Sequence, residues 1–570
     1  MRAFVSLAAL LGFACLFLIA TTPAPVAADD NGGVPCAVCT LLTGLVGQLA
    51  EIHNETVADS MARFCSYLPA SYQTPCAALV KTYGPTIIDL YEDHETADMI
   101  CLAIGICNTS SGTRCHAFPE PADAEERANR ALKIAATKSF IKPCDIPEMK
   151  PICDLVNRFG NEHVPIDDLD QDMFSQINTF RGADWRGKDC NEFDAAIHPG
   201  RNPGPSSGGN NDLIVDTNCN GIYGSEGSTT YEEKFCGDSG QLGIILLGDS
   251  VGAHFRIPPE YLNALQVTSS TYKNLDKILP DEFDWPMHSF STGHRNATGT
   301  EDPGTVDSLY LRLVARNRCN HRDFQNVGVN GARSGDMVNF VKQSVARNPK
   351  KDYPAIVVAS FVGNDVCNGH PGTDHMTTAA EFRANIIAGL DALNMTLAPG
   401  SHVLLNGLAN GSVLYEYMHA LIHPIGEWKQ NVNYADVYTY LNCLGISPCE
   451  GWMTTNATLR DLTTQRAVLL SSVLQELASN VTITSRYSNV FDMYYLGTTI
   501  EDIIEEWIQE GNNVADLIEP VDGFHPRLGG EAMMAALIWD ELTQYAPQMI
   551  GKVNPNNDAI ISKFGDQGGY

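Results

Sequence analysis

Four short apolar runs follow residue 241, at 242–247, 355–361, 402–405 and 490–495, each too short for a helix and each read as a buried strand. Between them, 379–393 and 462–478 carry apolar residues at helical spacing. Strands alternating with helices imply a parallel sheet covered on both faces, a three-layer α/β domain spanning 239–550 with a tail at 551–570. Residues 33–112 have another texture: Leu41, Leu42, Leu45, Leu49 and Ile52 recur at helical spacing among six cysteines. Residues 113–165 read as a linker, with a helical stretch at 122–138 followed by Pro143, Pro147, Pro151 and Pro165. Its basic residues Arg127, Arg130, Lys133, Lys138, Lys142 and Lys150 make it a candidate site of proteolytic processing. Residues 166–238 are acidic, rich in Gly and Asn, and lack apolar periodicity. A structureless stretch of that length inside a compact chain needs something to organise it. The expected class is α plus α/β multidomain: a small disulfide-stapled helical domain ahead of the sheet domain.

The first 28 residues add a compartment. Arg2, the apolar run 4–20 and small residues at Val26 and Ala28 form a signal peptide, with cleavage expected near Ala28. No later segment reads as long and apolar enough to span a bilayer. Of 17 cysteines, Cys15 leaves with that leader, and the even remainder suits full oxidation in a disulfide-permissive compartment. The sequons at Asn54, Asn108, Asn296, Asn394, Asn410, Asn456 and Asn480 then imply surface glycans. The chain is expected to be secreted or held in a lysosomal or granule lumen. A net charge of −31, from 37 basic and 68 acidic residues, excludes nucleic acid as a partner. It suits an acidic compartment or bound cations.

The strand at 242–247 runs into Gly248-Asp249-Ser250, and ligands of open parallel sheets bind beyond the carboxyl ends of strands. Gly248-x-Ser250-x-Gly252 also fits the elbow of α/β-hydrolases. However, Ser250 follows the first strand of its domain, and the candidate acid Asp522 lies only three residues before the candidate base His525. Asn326-Val-Gly-Val-Asn-Gly331, Gly363-Asn364-Asp365 and Asp522-Gly-Phe-His525 follow in order. Together these four blocks resemble the GDSL, or SGNH, hydrolases. A serine hydroxyl is a weak nucleophile near neutral pH and needs an adjacent base, which His525 would supply while Asp522 holds its tautomer. The resemblance implies an oxyanion hole made by the N–H groups of Ser250 and Gly331 and the side-chain amide of Asn364.

Asp168-x-Asp170-x-Asp172-x-Phe174 sets oxygen ligands at alternate positions, as calcium loops do. Asp216-x-Asn218-x-Asn220-Gly221-Ile222 repeats the pattern with a glycine at the sixth position. Asp184, Asp189, Asn191 and Asp194 lie between, Glu232 is a further candidate ligand, and the carbonyls of Phe174 and Ile222 complete the set. Neither loop has the glutamate of an EF-hand at position twelve. A solvated acidic loop would explain one such run; two, in a segment without a core, point to calcium. Zinc lacks its paired Cys/His spacing here.

The intervals Cys36-x2-Cys39, Cys65-x10-Cys76 and Cys101-x5-Cys107 resemble a saposin B-type domain. That resemblance implies the bridges Cys36–Cys107, Cys39–Cys101 and Cys65–Cys76, and a lipid-handling role. Beyond the leader, the whole chain resembles the acyloxyacyl hydrolases, on the six cysteines, Arg181-Gly-Ala-Asp-Trp-Arg-Gly-Lys-Asp-Cys190, 216–221, 245–250 and His525. The implied activity is that of a serine lipase releasing secondary (acyloxyacyl) fatty-acyl chains from lipid A of bacterial lipopolysaccharide, detoxifying it. The implied partners are lipopolysaccharide or another acylated lipid and, transiently, a membrane or aggregate surface. The resemblance also implies a zymogen, cleaved in the linker into small and large subunits joined by a disulfide from Cys115 to Cys443 or Cys449. The residues alone reach a secreted serine esterase with a lipid module. A phospholipase or general acylglycerol esterase, or a lipid-binding protein without catalysis, are the alternatives.

Overall fold

The computed structural model describes residues 31–109, 112–137, 141–157, 163–202, 213–297, 304–367, 372–408, 410–497 and 500–570. The expected signal peptide lies outside them. Four helices build the N-terminal domain: α1 (Gly33–His53), α2 (Val57–Tyr67), α3 (Ala70–Glu92) and α4 (Ala97–Ala103). Thr56 starts α2 by accepting a hydrogen bond from the Asp59 N–H at 3.1 Å. Cys36 and Cys39, one turn apart on α1, bond Cys107 and Cys101, and Cys65 bonds Cys76, the pairing implied by the saposin resemblance. By length and composition α1 could cross a membrane, contrary to the sequence reading. Its residues are mostly buried within the protein, because it is a core helix shared by two domains.

That sharing is extensive. Gln48 donates to the Ile425 carbonyl at 2.8 Å and the Tyr440 hydroxyl to the Cys36 carbonyl at 3.2 Å. Phe64 meets Tyr272 edge-on at 5.2 Å. A single apolar core runs from Val34 through Leu279 to Val521. Cys115 is bonded to Cys443. Much of 113–165 is folded rather than linker. Helix α5 (Ala124–Thr137) buries Ala124, Ala128 and Ala131, and its Arg127 and Arg130 pair with Glu95. Ile146, Met149, Ile152 and Val156 enter the same core.

After a small hairpin, β1 (Ser225–Glu226) and β2 (Thr229–Thr230), comes a five-stranded sheet of order β4-β3-β5-β6-β7, parallel throughout. Its strands are β3 (Gly243–Gly248), β4 (Phe324–Gly328), β5 (Ala355–Ser360), β6 (Ser401–Asn406) and β7 (Phe491–Leu496). Strand β3 is first in sequence but interior in the sheet. One face packs against α7 (Ala379–Thr396) and α8 (Ala457–Ser479), the other against α10 (Leu528–Tyr545); α6 (Ser250–Ala253) and α9 (Ile500–Gln509) border the carboxyl edge. Strand β4 escaped the sequence reading because Gln325 and Asn326 interrupt its apolar run. Both are buried and satisfied: Gln325 exchanges two 2.9 Å bonds with the Ala346 backbone, and Asn326 donates to the Gly252 carbonyl at 2.8 Å.

The edge of β4 is covered by the acidic segment. Gly187 N–H donates to the Phe324 carbonyl and Asn326 N–H to the Trp185 carbonyl, so no open strand edge remains there. The C-terminal tail is folded too: Asn557–Phe564 is helical, and Gln567 donates to the Asn220 carbonyl at 2.5 Å. Disulfides Cys190–Cys219, Cys236–Cys319 and Cys367–Cys449 complete seven bridges among the described residues. Full oxidation is not observed, because Cys144 and Cys153 face one another as hydrogen-bonded thiols.

Candidate active site

Parallel strands deliver their carboxyl ends to one edge of the sheet, and three neighbouring strands bring the candidate groups there. Gly248 of β3 stands in register with Gly328 of β4 and Ser360 of β5. The chain leaving β3 therefore presents Ser250 between the loops carrying Gly331 and Asn364. Ser250 opens α6, capped by Asp249, whose carboxylate accepts the Val251 N–H at 3.1 Å. On the other side, the loop before α10 presents Asp522 and His525. Nε2 of His525 lies 2.8 Å from the Ser250 hydroxyl, and Nδ1 lies 2.6 Å from Asp522 Oδ2. Asp522 Oδ1 accepts the N–H groups of Phe524 and His525, which fixes the carboxylate. All three residues are buried. A ring held between a carboxylate and a hydroxyl can withdraw the hydroxyl proton.

Gly331 has φ +76°, a left-handed conformation that favours glycine, and lies buried beside the site. Asn364 is half-buried, and one of its amide hydrogens goes to Asp249 Oδ2 at 3.1 Å, leaving the other for a substrate oxygen. Burial pushes the Asp249 carboxyl up to about 6. The sequence reading passed over Asp249 as an orienting group, although it stands inside the quoted Gly-Asp-Ser.

An apolar cavity opens beside His525 and runs from the carboxyl end of β6 to α9 and α10. It is lined by Val251, Leu408, Trp452, Ile504, Phe524 and Met534 among others. These residues come from five separate segments, so no local pattern in the sequence announced it.

The first acidic loop brings the carboxylates of Asp168, Asp170 and Asp172 within 4.8 Å of one another. Asp189 and Asp194 border it, and so does Glu192, missed although it stands between Asn191 and Asp194. Asn191 instead accepts the Phe193 N–H in a local turn. Burial, reinforced by neighbouring carboxylates, pushes Asp172 up to about 8 and Asp189 up to about 6. The Oδ2 atoms of Asp170, Asp172 and Asp189 are buried and accept no hydrogen bond from described residues, a donor set that fits a hard cation. Phe174 is fully buried at the end of this loop. Asp184 is elsewhere, a correction: it pairs with Arg295 at 2.9 Å and His294 at 3.7 Å, which holds its carboxyl below the usual range despite burial. In the second loop Asp216 accepts the N–H groups of Asn220 and Gly221, and Asn220 that of Ile222. Buried Glu232 accepts from Asn218, Asn220 and Gln241. The Cys190–Cys219 bridge ties the two loops together. Of the sequon asparagines, Asn54, Asn108, Asn296 and Asn456 are exposed, and Asn394, Asn410 and Asn480 half-buried.

A buried serine, histidine and aspartate in hydrogen-bonded series, at the carboxyl edge of a parallel sheet, fall within a match to the GDSL-like lipase/acylhydrolase family over residues 244–538. The protein is a GDSL-type carboxylic ester hydrolase. A saposin-like domain matches residues 35–155, which takes in much of the segment read as linker. The acyloxyacyl hydrolase of Mus musculus is 40% identical over 97% of this chain and 98% of its own length. That of Homo sapiens is 39% identical over 98% and 99%. Saposin-C of Cavia porcellus is 26% identical over 13% of this chain. The chain belongs to the acyloxyacyl hydrolase family, and it is a lipase acting on acyl esters.

Proposed function

We propose that this chain removes secondary fatty-acyl groups from lipid A in bacterial lipopolysaccharide. Its substrate ester joins one fatty acid to the hydroxyl of another, so both sides of the bond are long and apolar. The apolar cavity opening on His525 carries this reading, because it offers the departing acyl chain a place beside the nucleophile. Re-burying each methylene drawn from a lipid aggregate is worth roughly 0.8 kcal/mol, so extraction without such an acceptor would be prohibitive. The saposin-like domain is the second candidate aid to extraction.

In the proposed reaction Ser250 Oγ attacks the ester carbonyl carbon while His525 Nε2 takes its proton. Asp522 holds the ring and stabilises the imidazolium. The N–H groups of Ser250 and Gly331 and the free amide hydrogen of Asn364 receive the oxyanion, each donor worth roughly 3 kcal/mol of barrier. His525 then protonates the departing alkoxide, leaving the acyl group on Ser250. Water, deprotonated by His525, releases the fatty acid and restores the hydroxyl.

Calcium is the proposed cofactor, held by Asp168, Asp170, Asp172, Asp189 and Asp194 with the Phe174 carbonyl, and by Asp216, Asn218, Asn220 and Glu232 with the Ile222 carbonyl. Bound there it supplies charge neutralisation and crosslinking. A signal peptide, glycans on the accessible sequons, secretion or delivery to a lysosomal lumen, and cleavage into subunits held by Cys115–Cys443 complete the proposal. Incubating the purified protein with lipopolysaccharide or with phosphatidylcholine, then identifying the released fatty acids, tests it. Release from lipopolysaccharide is expected; release from phosphatidylcholine alone would make the protein a phospholipase.

A further inference from the structure

The nucleophile and the base reach the site on chains 275 residues apart, and buried side-chain pairs join those two chains: Arg256 with Glu519 at 2.9 Å and His254 with Glu531 at 3.3 Å. Arg256 lies six residues beyond Ser250, on the segment that leaves α6: the Phe255 N–H donates back to the Ser250 carbonyl at 2.9 Å, and the Arg256 N–H to the Phe283 carbonyl at 2.9 Å. Glu519 lies at the root of the loop carrying Asp522 and His525. Its N–H donates to the His525 carbonyl and its own carbonyl accepts the Gly523 N–H, both at 2.8 Å, so its backbone brackets the turn holding the acid and the base. Arg256 Nε donates to Glu519 Oε1 at 2.9 Å, with both side chains almost fully buried.

We infer that Arg256 and Glu519 are positioning residues for the reaction, their ion pair setting the separation between Ser250 Oγ and His525 Nε2. Two observations and one general argument carry this. First, the pair links two backbones already fixed to the reacting groups by short hydrogen bonds. Phe255, adjacent to Arg256, packs its ring 5.0 Å from that of His525, so a shift of the arginine segment moves a wall of the base. Third, a buried ion pair is poor value as a stabiliser: replacing both partners by apolar residues of similar volume is often neutral or better for stability. What an apolar pair cannot reproduce is a fixed heavy-atom distance, and proton transfer from serine to histidine depends on that distance.

The inference rests on Ser250 and His525 being nucleophile and base, and Ser250→Ala checks that separately with the same soluble short-chain ester. The test proper is the double variant Arg256→Met, Glu519→Leu, which removes both charges of the pair together. Its kcat on the soluble ester is expected to fall at least tenfold, with KM within threefold of wild type and the melting temperature little changed. Glu519→Gln, whose amide oxygen can still accept from Arg256 Nε, is expected to restore kcat to within threefold. A folded double variant with wild-type kcat would overturn the inference, as would Glu519→Gln falling as far as the double variant. Should the double variant not fold, Glu519→Asp serves instead. It keeps the charge but shortens the arm by one methylene, so kcat should drop at least fivefold at constant KM. A drop of less than twofold would overturn the inference.

Discussion

The carbonyl of Gly328, last residue of β4, accepts a hydrogen bond from Arg181 Nη1 at 2.6 Å. Arg181 belongs to the acidic segment, stacks on Trp185 with its guanidinium 3.8 Å from the ring centre, and is fully buried. Gly328 leads within three residues to Gly331. The segment with the candidate calcium loops is thus fastened to the strand that supplies one wall of the active site.

Chelation should therefore act first on stability and then on catalysis. Without a cation, Asp168, Asp170, Asp172 and Asp189 repel one another around buried, unpaired oxygens. A ligand held only by the native state at a hundred times its Kd adds about 2.7 kcal/mol. Removing calcium after partial unfolding in chelator should lower the melting temperature by about 5 °C or more, measured by scanning fluorimetry. An unmoved transition, with no calcium by elemental analysis, would leave the loops as plain acidic turns.

Asp249 gives a pH signature. Its folded value is pushed up to about 6 by burial, against roughly 3.9 for an exposed aspartate. An acid with a raised folded pKa binds more protons native than unfolded, so it costs stability progressively as pH rises from about 4 to about 6. Asp249→Asn removes that cost, of order 3 kcal/mol, and should gain stability relative to wild type across this window, with a constant gain above it. The same change sets an amide against the Asn364 amide, so kcat should fall about tenfold or more. Urea denaturation at pH 4, 5, 6 and 7 with parallel ester assays checks both.

Met534 is half-buried and lines the cavity beside His525. Met534→Trp should fill part of the space, cutting kcat/KM on a twelve-carbon ester at least tenfold while altering hydrolysis of an acetyl ester much less. Equal losses on both would place the acyl chain elsewhere.

The Cys115–Cys443 bridge and the shared core make the helical domain a structural partner as well as a lipid module. After cleavage in the 113–165 segment, the two pieces should migrate together on a non-reducing gel and separate on reduction. Deleting residues 31–112 should expose the α1 contact face around Ile425 and Tyr440, causing aggregation and loss of activity even on a soluble ester. A monomeric, active deletion would mean that the interface is dispensable.

Most of the sheet was legible because buried parallel strands leave unbroken apolar runs, and Gly-Asp-Ser and Asp-x-x-His mark where two of its loops turn. Strand β4 was hidden because Gln325 and Asn326 satisfy their polarity through tertiary contacts with Ala346 and Gly252. The folded stretches 113–137 and 141–157 were misread because their prolines and charges suggest a linker, while the small buried face of Ala124, Ala128 and Ala131 is too weakly apolar to announce packing. Asp184 matched the ligand pattern by residue type, yet its partners Arg295 and His294 lie more than a hundred residues away. Distances of that kind are invisible to local spacing.

The central claim is that Ser250 cleaves secondary acyl esters. Mass spectrometry of lipid A after incubation with wild-type protein and with Ser250→Ala tests it most directly. The account predicts that wild type removes only the acyl chains esterified to other fatty acids, leaving the hydroxyacyl chains on the sugar. The variant, folded and with an unchanged melting temperature, should be slower by several decades. Residual activity within tenfold of wild type, a barrier change of only about 1.4 kcal/mol, or loss of the sugar-linked chains, would contradict it.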